Sequence, residues 1–283
     1  MTPLVVAAVL IAAVTHASWN AIAHHIKDQL LSFTLISGGG ALLGGVTALF
    51  VPLPAAGAWP YLVASAILHV GYYLLLMRSF ALGDFGQMYP IARGTAPLVV
   101  TLLAAVFLHE IPDAPQLAGV AVACAGLTGL ALWGIRGSGR RPHWPALLAA
   151  LGTGLAIAGY TVVDGIGVRA SGTPLGYIAW LMILEGLAIP AYALYRRRGE
   201  LAGQLRPYAA RGLLAGALSV AAYALVLWAQ TKAPLAPIAA LRESSIIVGA
   251  AIGTLFFKER FGGPRVAAAG LMVVGIGLML TTS

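Results

Sequence analysis

The sequence predicts an all-α integral membrane protein whose ten transmembrane helices form two inverted five-helix repeats. Three observations carry that prediction: a composition that water cannot solvate, apolar runs of bilayer length, and polar landmarks that recur in one register. Of the 283 residues, 60% are hydrophobic and 9% charged, with a mean hydropathy of +0.89. Soluble chains carry about 25% charged residues, so lipid has to cover this surface. Lys and Arg outnumber Asp and Glu by 17 to 9, a net charge of +8. In a soluble protein that excess would point to nucleic acid. Here it lies in short segments between apolar runs, where it orients the chain against the membrane, and no nucleic-acid partner is implied. Cys124 is the only cysteine and sits inside an apolar run, which excludes an intrachain disulfide and a thiolate metal site.

A helical span needs about 20 mostly apolar residues. Ten segments qualify: 3–25, 31–52, 59–81, 85–108, 115–135, 144–168, 175–195, 208–231, 235–257 and 265–281. The breaks between them are chemically sensible. Lys27-Asp28-Gln29 ends the first, and Pro52, Pro54 and Gly57 follow the second. Pro112 and Pro115 separate the fourth from the fifth, and Arg196-Arg197-Arg198 ends the seventh. The first segment has no basic stretch before it. His16, Trp19 and Asn20 follow where a signal peptide would have a small-residue cleavage site, so it reads as a retained helix. The apolar runs are continuous rather than alternating, which argues against a β-barrel.

Sliding the chain by 149 residues lays the third-to-fifth segments on the eighth-to-tenth without a gap. Arg93 meets Arg242, Glu110 meets Glu259, and Gly126 meets Gly275. The unit holds five helices, an odd number, so its second copy enters the membrane from the opposite side. Such inverted repeats mark many secondary transporters, with the site near the midplane at the repeat interface. The chain then divides into a first repeat over 1–135, a linker over 136–143 and a second repeat over 144–283. Loops after odd-numbered segments hold Lys27, Arg136, Arg140, Arg141, Arg196, Arg197, Arg198, Arg206, Lys258, Arg260 and Arg265. Loops after even-numbered ones hold Arg169 and Lys232. This bias places the odd loops in the cytoplasm and both termini outside.

The ends of the fourth and ninth segments carry a more specific pattern. Leu255-Phe256-Phe257-Lys258-Glu259-Arg260-Phe261-Gly262 precedes Gly270, Gly275 and Gly277. In the first half, Phe107-Leu108-His109-Glu110 precedes Gln116, Gly119 and Gly126. The pattern resembles the drug/metabolite transporter superfamily in its EamA-type ten-helix branch, and the likeness covers the whole chain. Within that branch it looks most like the aromatic amino-acid exporters of bacterial inner membranes. The resemblance implies two inverted five-helix bundles around a central cavity, export of an amino acid across an inner membrane, and no enzymatic activity. It also implies cytoplasmic termini, the opposite of the charge count.

Polar groups at membrane depth are costly and are therefore candidates for function. Arg242 and Glu243 lie about eight residues into the ninth segment, and Arg93 occupies the matching place in the fourth between Pro90 and Pro97. An amino-acid zwitterion needs a cation for its carboxylate and an acceptor for its ammonium, and these residues supply both. The competing reading is that they pair with one another and hold helices together. Around them, His16, Trp19 and Asn20 on the first segment and Tyr72 and Tyr73 on the third are candidates for an aromatic side-chain pocket. Tyr160 and Asp164 on the sixth and Tyr223 on the eighth complete that set. His69, Met88, Tyr89, Trp180, Glu185, Trp228 and Gln230 belong to the same polar and aromatic group. Trp59, Tyr61, Trp133, Trp144, Tyr192 and Tyr195 fall at helix ends and read as an interfacial belt.

Glu110 and Glu259 sit at helix ends, where turn hydrogen bonds joining segments four to five and nine to ten are the expected role. Gly40/Gly44, Gly212/Gly216 and Gly249/Gly253 have the four-residue spacing that lets helices approach closely. No carboxylate lies between Met1 and Lys27, so if protons drive transport, His16, Asp164 or Glu185 must carry them. No Gly-Lys-Ser/Thr phosphate loop is present, and no cofactor is implied. An intramembrane enzyme would need clustered acids or histidines, and a channel would need a polar stripe or filter loop. The sequence shows neither. A sugar-phosphate or nucleotide-sugar carrier would need more buried cations than Arg93, Arg242 and Arg78, and a cationic drug is the remaining alternative cargo. The expected partners are a small metabolite and the lipid bilayer.

Overall fold

The computed structural model describes residues 1–82, 85–137, 144–248 and 263–280. All regular elements among them are helical. They are α1 (Pro3–His25), α2 (Gln29–Ala48), α3 (Trp59–Leu82), α4 (Phe85–Leu108), α5 (Ala114–Gly137) and α6 (Trp144–Ala170). They continue as α7 (Pro174–Gly186), α8 (Ala188–Arg197), α9 (Leu201–Leu205), α10 (Ala209–Gln230), α11 (Leu235–Arg242) and α12 (Gly263–Leu280). The linker residues 138–143, Glu259 and the pair Gly249/Gly253 lie outside the described residues.

Local chemistry sets the helix ends. Pro3 opens α1 at a position where its missing N–H costs nothing. Asp28 caps α2 by accepting from the N–H groups of Leu30 and Leu31 at 3.1 and 3.2 Å. Thr173 does the same for α7 through Gly176 N–H, with Pro174 following. The seventh apolar segment is not one helix but two. Pro190 has no N–H to give the carbonyl of Gly186, and the helix breaks at Leu187. α4, by contrast, runs unbroken through Pro90 and Pro97.

Among the described residues, six helical stretches are long and apolar enough to cross a membrane: Pro3–Ala23, Gln29–Ala48, Ala56–Ser79, Ile91–Leu108, Trp144–Ala170 and Pro174–Gln230. The last holds 57 residues, far more than the roughly 20 that one crossing needs. Ala114–Gly126 and Ala267–Leu278 are shorter apolar helices. Large apolar side chains face outward along these helices, among them Leu42, Leu102, Phe107, Leu148 and Val273, each at least 60% exposed. Only lipid makes such a surface stable.

The two halves interleave. α1 packs on α10, α3 on α6, α2 on α7 and α5 on α12, so each of these helices finds a main partner in the other half. Contacts in matched pairs run in opposite senses. Gly44 of α2 lies against Ala179 of α7, whereas Ser37, earlier in α2, lies against Gly186, later in α7. The α5–α12 seam behaves likewise. A Cβ on Gly126 would stand 3.1 Å from the Ala268 carbonyl, and one on Gly275 would stand 2.6 Å from the Gly119 carbonyl. Adding 149 to 126 and to 119 gives 275 and 268, so these two contacts are one contact repeated about a pseudo-twofold axis. Corresponding helices therefore meet antiparallel. Gly216, whose Cβ would come 2.9 Å from the Ile36 carbonyl, provides a similar close approach between α10 and α2.

Candidate functional site

Most of the buried charges and polar rings meet where α1, α3, α4, α6, α7, α10 and the end of α11 converge. Arg93 on α4 donates from Nε to Glu243 Oε2 at 2.8 Å, joining the first half to the second, with both side chains 2% exposed. Arg93 also lies 3.4 Å from His16 Nε2 on α1, and His16 Nδ1 lies 3.3 Å from Trp19 Nε1. Arginine and indole N–H groups only donate, and a neutral imidazole has one accepting nitrogen. His16 therefore accepts from one of these neighbours at a time.

The chain around Arg242 is not a continuous helix. After α11 the backbone turns at Glu243 and Ser244, and helix resumes at Ser245. The N–H groups of Glu243, Ser244, Ile246 and Ile247 reach back only three residues, at 3.0–3.1 Å. The hydroxyls of Ser244 and Ser245 and Arg242 Nε are buried without a hydrogen-bond partner among the described residues. Arg242 does reach the Tyr160 hydroxyl.

On the opposite side of Tyr160 the chemistry is anionic. Asp164, one turn along α6, accepts from the Tyr177 hydroxyl at 2.8 Å and from the Tyr223 and Ser65 hydroxyls. His69 stacks on Tyr160 with ring centroids 3.9 Å apart and meets Tyr223 edge-on at 5.3 Å. Tyr72 packs between Tyr73 and Tyr160, at 5.1 and 5.6 Å. Glu185 on α7 lies 3.3 Å from His69 Nδ1. The result is a ring cluster with guanidinium groups on one side and two carboxyl groups on the other.

The structure thus brings together His16, Tyr72, Tyr73, Arg93, Tyr160, Asp164, Tyr223, Arg242 and Glu243. Trp19 joins through its indole N–H, but its ring packs with Ala23, Ile36 and Ala215 at the α1–α2–α10 contact. Asn20 bonds the His16 carbonyl of its own helix at 2.9 Å. The side chains of Met88 and Tyr89 lie outside the described residues. Tyr177 and Ser65, which hold Asp164, were missed in the sequence reading. A tyrosine and a serine inside apolar runs carry no signal until their helices are packed. Trp144, Tyr192 and Tyr195 are exposed at helix ends, as an interfacial belt requires.

Glu110 departs from the expected turn role. α4 closes with the N–H of Glu110 on the Ala104 carbonyl at 3.2 Å, while His109 takes the left-handed position, φ 55°, usually given to glycine. This aims the carboxylate away from α5 and into the other half. It accepts from Arg169 at 2.6 Å and from the N–H of Leu235, the first residue of α11, at 2.7 Å. Arg169 also donates to the carbonyls of Gln230 and Ala233, at 2.8 and 3.1 Å. Four helix ends are tied at one face. On another edge, Asp28 pairs with Arg197 at 2.5 Å.

No curated protein matches the chain. Among solved structures, one described only as a crystal structure of a protein superposes with a TM-score of 0.75. It covers 99% of this chain and 98% of its own at 15% identity, a likeness of fold. The model of the EamA-like transporter family matches residues 3–132 and again 144–281. With its duplicated unit, apolar outer surface and buried polar centre between the halves, the chain belongs to the EamA-like transporter family, a family of multi-pass membrane transporters of small molecules.

Proposed function

We propose that this protein is a secondary transporter exporting aromatic or neutral amino acids across a bacterial inner membrane by alternating access. The reading takes the chain as ten spans in two inverted five-helix repeats, 1–135 and 144–283. The substrate contacts it assigns are His16, Trp19, Asn20, Tyr72, Tyr73, Arg93, Tyr160, Asp164, Tyr223, Arg242 and Glu243. One observation carries it: a buried guanidinium, Arg242, whose Nε has no partner among the described residues, beside a cluster of aromatic rings at the interface of the halves. A substrate carboxylate would take that Nε and its ring would stack among the tyrosines. The charge count places both termini in the periplasm.

The test is uptake of labelled amino acids into proteoliposomes. Phenylalanine or tryptophan is expected to enter, and Arg242→Ala and Trp19→Ala to reduce uptake at least tenfold. Uptake untouched by both substitutions removes the site assignment, and no uptake of any amino acid removes the substrate class. A cationic amphiphile is the second reading, favoured by the Asp164 carboxyl group beside the rings. A quaternary-ammonium dye in the same panel tests it.

A further inference from the structure

Glu185 stands apart from the other buried acids. Glu243 has Arg93, and Asp164 has three hydroxyl donors. Glu185 is 4% exposed, and its Oε2 has no hydrogen-bond partner among the described residues although His69 Nδ1 is 3.3 Å away. The imidazole explains why. Its Nδ1 lies 3.0 Å from the Ser65 carbonyl oxygen. The Ser65 hydroxyl, 3.1 Å from the same nitrogen, is given to Asp164, so Nδ1 serves as the donor and turns its hydrogen to Ser65. Stacking on Tyr160 and edge contacts with Tyr223 and Tyr72 hold the ring in that direction. A buried carboxylate anion with one oxygen that no described donor reaches is less tolerable than the neutral acid.

Its surroundings offer no rescue. α6 brings Asp164, a like charge, and α3 brings Tyr73 and His69. α2, packed along α7, has no titratable residue between Leu31 and Gly44. On α10 the facing group is Tyr223, committed to Asp164, and on α11 Arg242 turns to Tyr160.

We propose that Glu185 is a proton-binding site, with His69 as its switch, through which transport is coupled to a proton gradient. This rests on the transporter reading and names its coupling ion. In the conformation described, the carboxyl group holds the proton and His69 Nδ1–H stays on the Ser65 carbonyl. On release, one proton leaves Glu185 for water, and His69 transfers its Nδ1–H hydrogen bond from Ser65 to the carboxylate. No electron moves and no covalent bond other than O–H breaks. Because His69 is stacked on Tyr160, which holds Arg242, the exchange shifts a wall of the candidate substrate site. That contact links proton to substrate. His69 acts here as a positioning residue.

Two measurements on the full chain test the proposal. The first needs no substrate. Infrared difference spectra across a pH titration are expected to show a buried carboxylic-acid carbonyl band near neutral pH that Glu185→Gln removes. A spectrum without that band, or one unaltered by the substitution, overturns the proposal. The second uses proteoliposomes with phenylalanine and an internal pH dye. Phenylalanine movement is expected to carry protons in the wild type. Glu185→Gln is expected to lose proton movement and the response to a pH gradient while still exchanging phenylalanine. His69→Gln is expected to shift the pH profile rather than abolish exchange. Wild-type exchange with no proton movement overturns the coupling alone. No exchange of any amino acid, with the infrared band present, overturns the substrate assignment and leaves the proton site standing.

Discussion

The Arg93–Glu243 pair tests whether the polar centre holds the halves together or receives a ligand. Both side chains are 2% exposed and 2.8 Å apart. Removing one partner of such a pair costs about 3–5 kcal/mol, because the other charge stays buried alone. The neighbourhood makes the two single losses unequal. Glu243→Gln removes the carboxylate to which Arg93 donates and which lies in the field of Arg242, so its loss is expected near the upper end of that range. Arg93→Met leaves Glu243 within the field of Arg242, so its loss is expected near the lower end. Replacing both, as Arg93→Met with Glu243→Leu, removes the pair together and leaves Arg242 as the remaining charge, so it is expected to cost less than the sum of the two single losses. Equilibrium unfolding in detergent, read as a double-mutant cycle, measures these differences. Losses below about 1 kcal/mol for Glu243→Gln, or a double variant as unstable as the sum of the singles, would refute the clamp. A double variant that is stable but binds no amino acid would assign the pair a role toward substrate as well.

Three further outcomes follow from the geometry. Gly126→Val and Gly275→Val each push a side chain against a facing backbone carbonyl, at 3.1 and 2.6 Å from the new Cβ. Each is expected to cost about 1–3 kcal/mol by overpacking, whereas Gly45→Ala, with open space around it, is expected to leave melting unchanged; equal tolerance at all three sites would contradict the seam. Glu110→Ala removes the acceptor of Leu235 N–H, and hydrogen exchange at that amide is expected to accelerate about tenfold, equivalent to about 1.4 kcal/mol, with little change in global stability because the ion pair is partly exposed. Single cysteines at Gly199 and Lys232, in a Cys124→Ala background, are expected to react with an impermeant thiol reagent from opposite sides of the membrane. Labelling from the same side would break the odd-even alternation of the loops.

Much of the helical layout was legible because its cause is local. Composition, run length and punctuation by proline, aspartate and arginine depend on neighbours in sequence, and the ends of α1, α4 and α6 lie within a few residues of the expected bounds. The seventh segment was less legible, since Pro190 reads equally as a tolerated membrane proline or a break, and packing of α2 against α7 and α8 decided it. Ser244-Ser245 gave no warning of the interruption after Arg242. Glu110 was legible as a helix end but not as a tie, because its partners Arg169 and Leu235 are distant in sequence.

By itself the sequence determined that the chain is helical, that lipid covers it, that its two halves share a unit, and which polar residues stand inside apolar segments. Those properties are sums over short stretches of chain. Only the tertiary structure decided that the halves interleave, that Arg93 spends its charge on Glu243, that Asp164 is held by Tyr177 and Tyr223, and that Glu185 Oε2 meets no donor among the described residues. Pairing among buried charges depends on which helix faces meet, and apolar faces of similar shape and hydropathy leave that choice open until all of them pack at once.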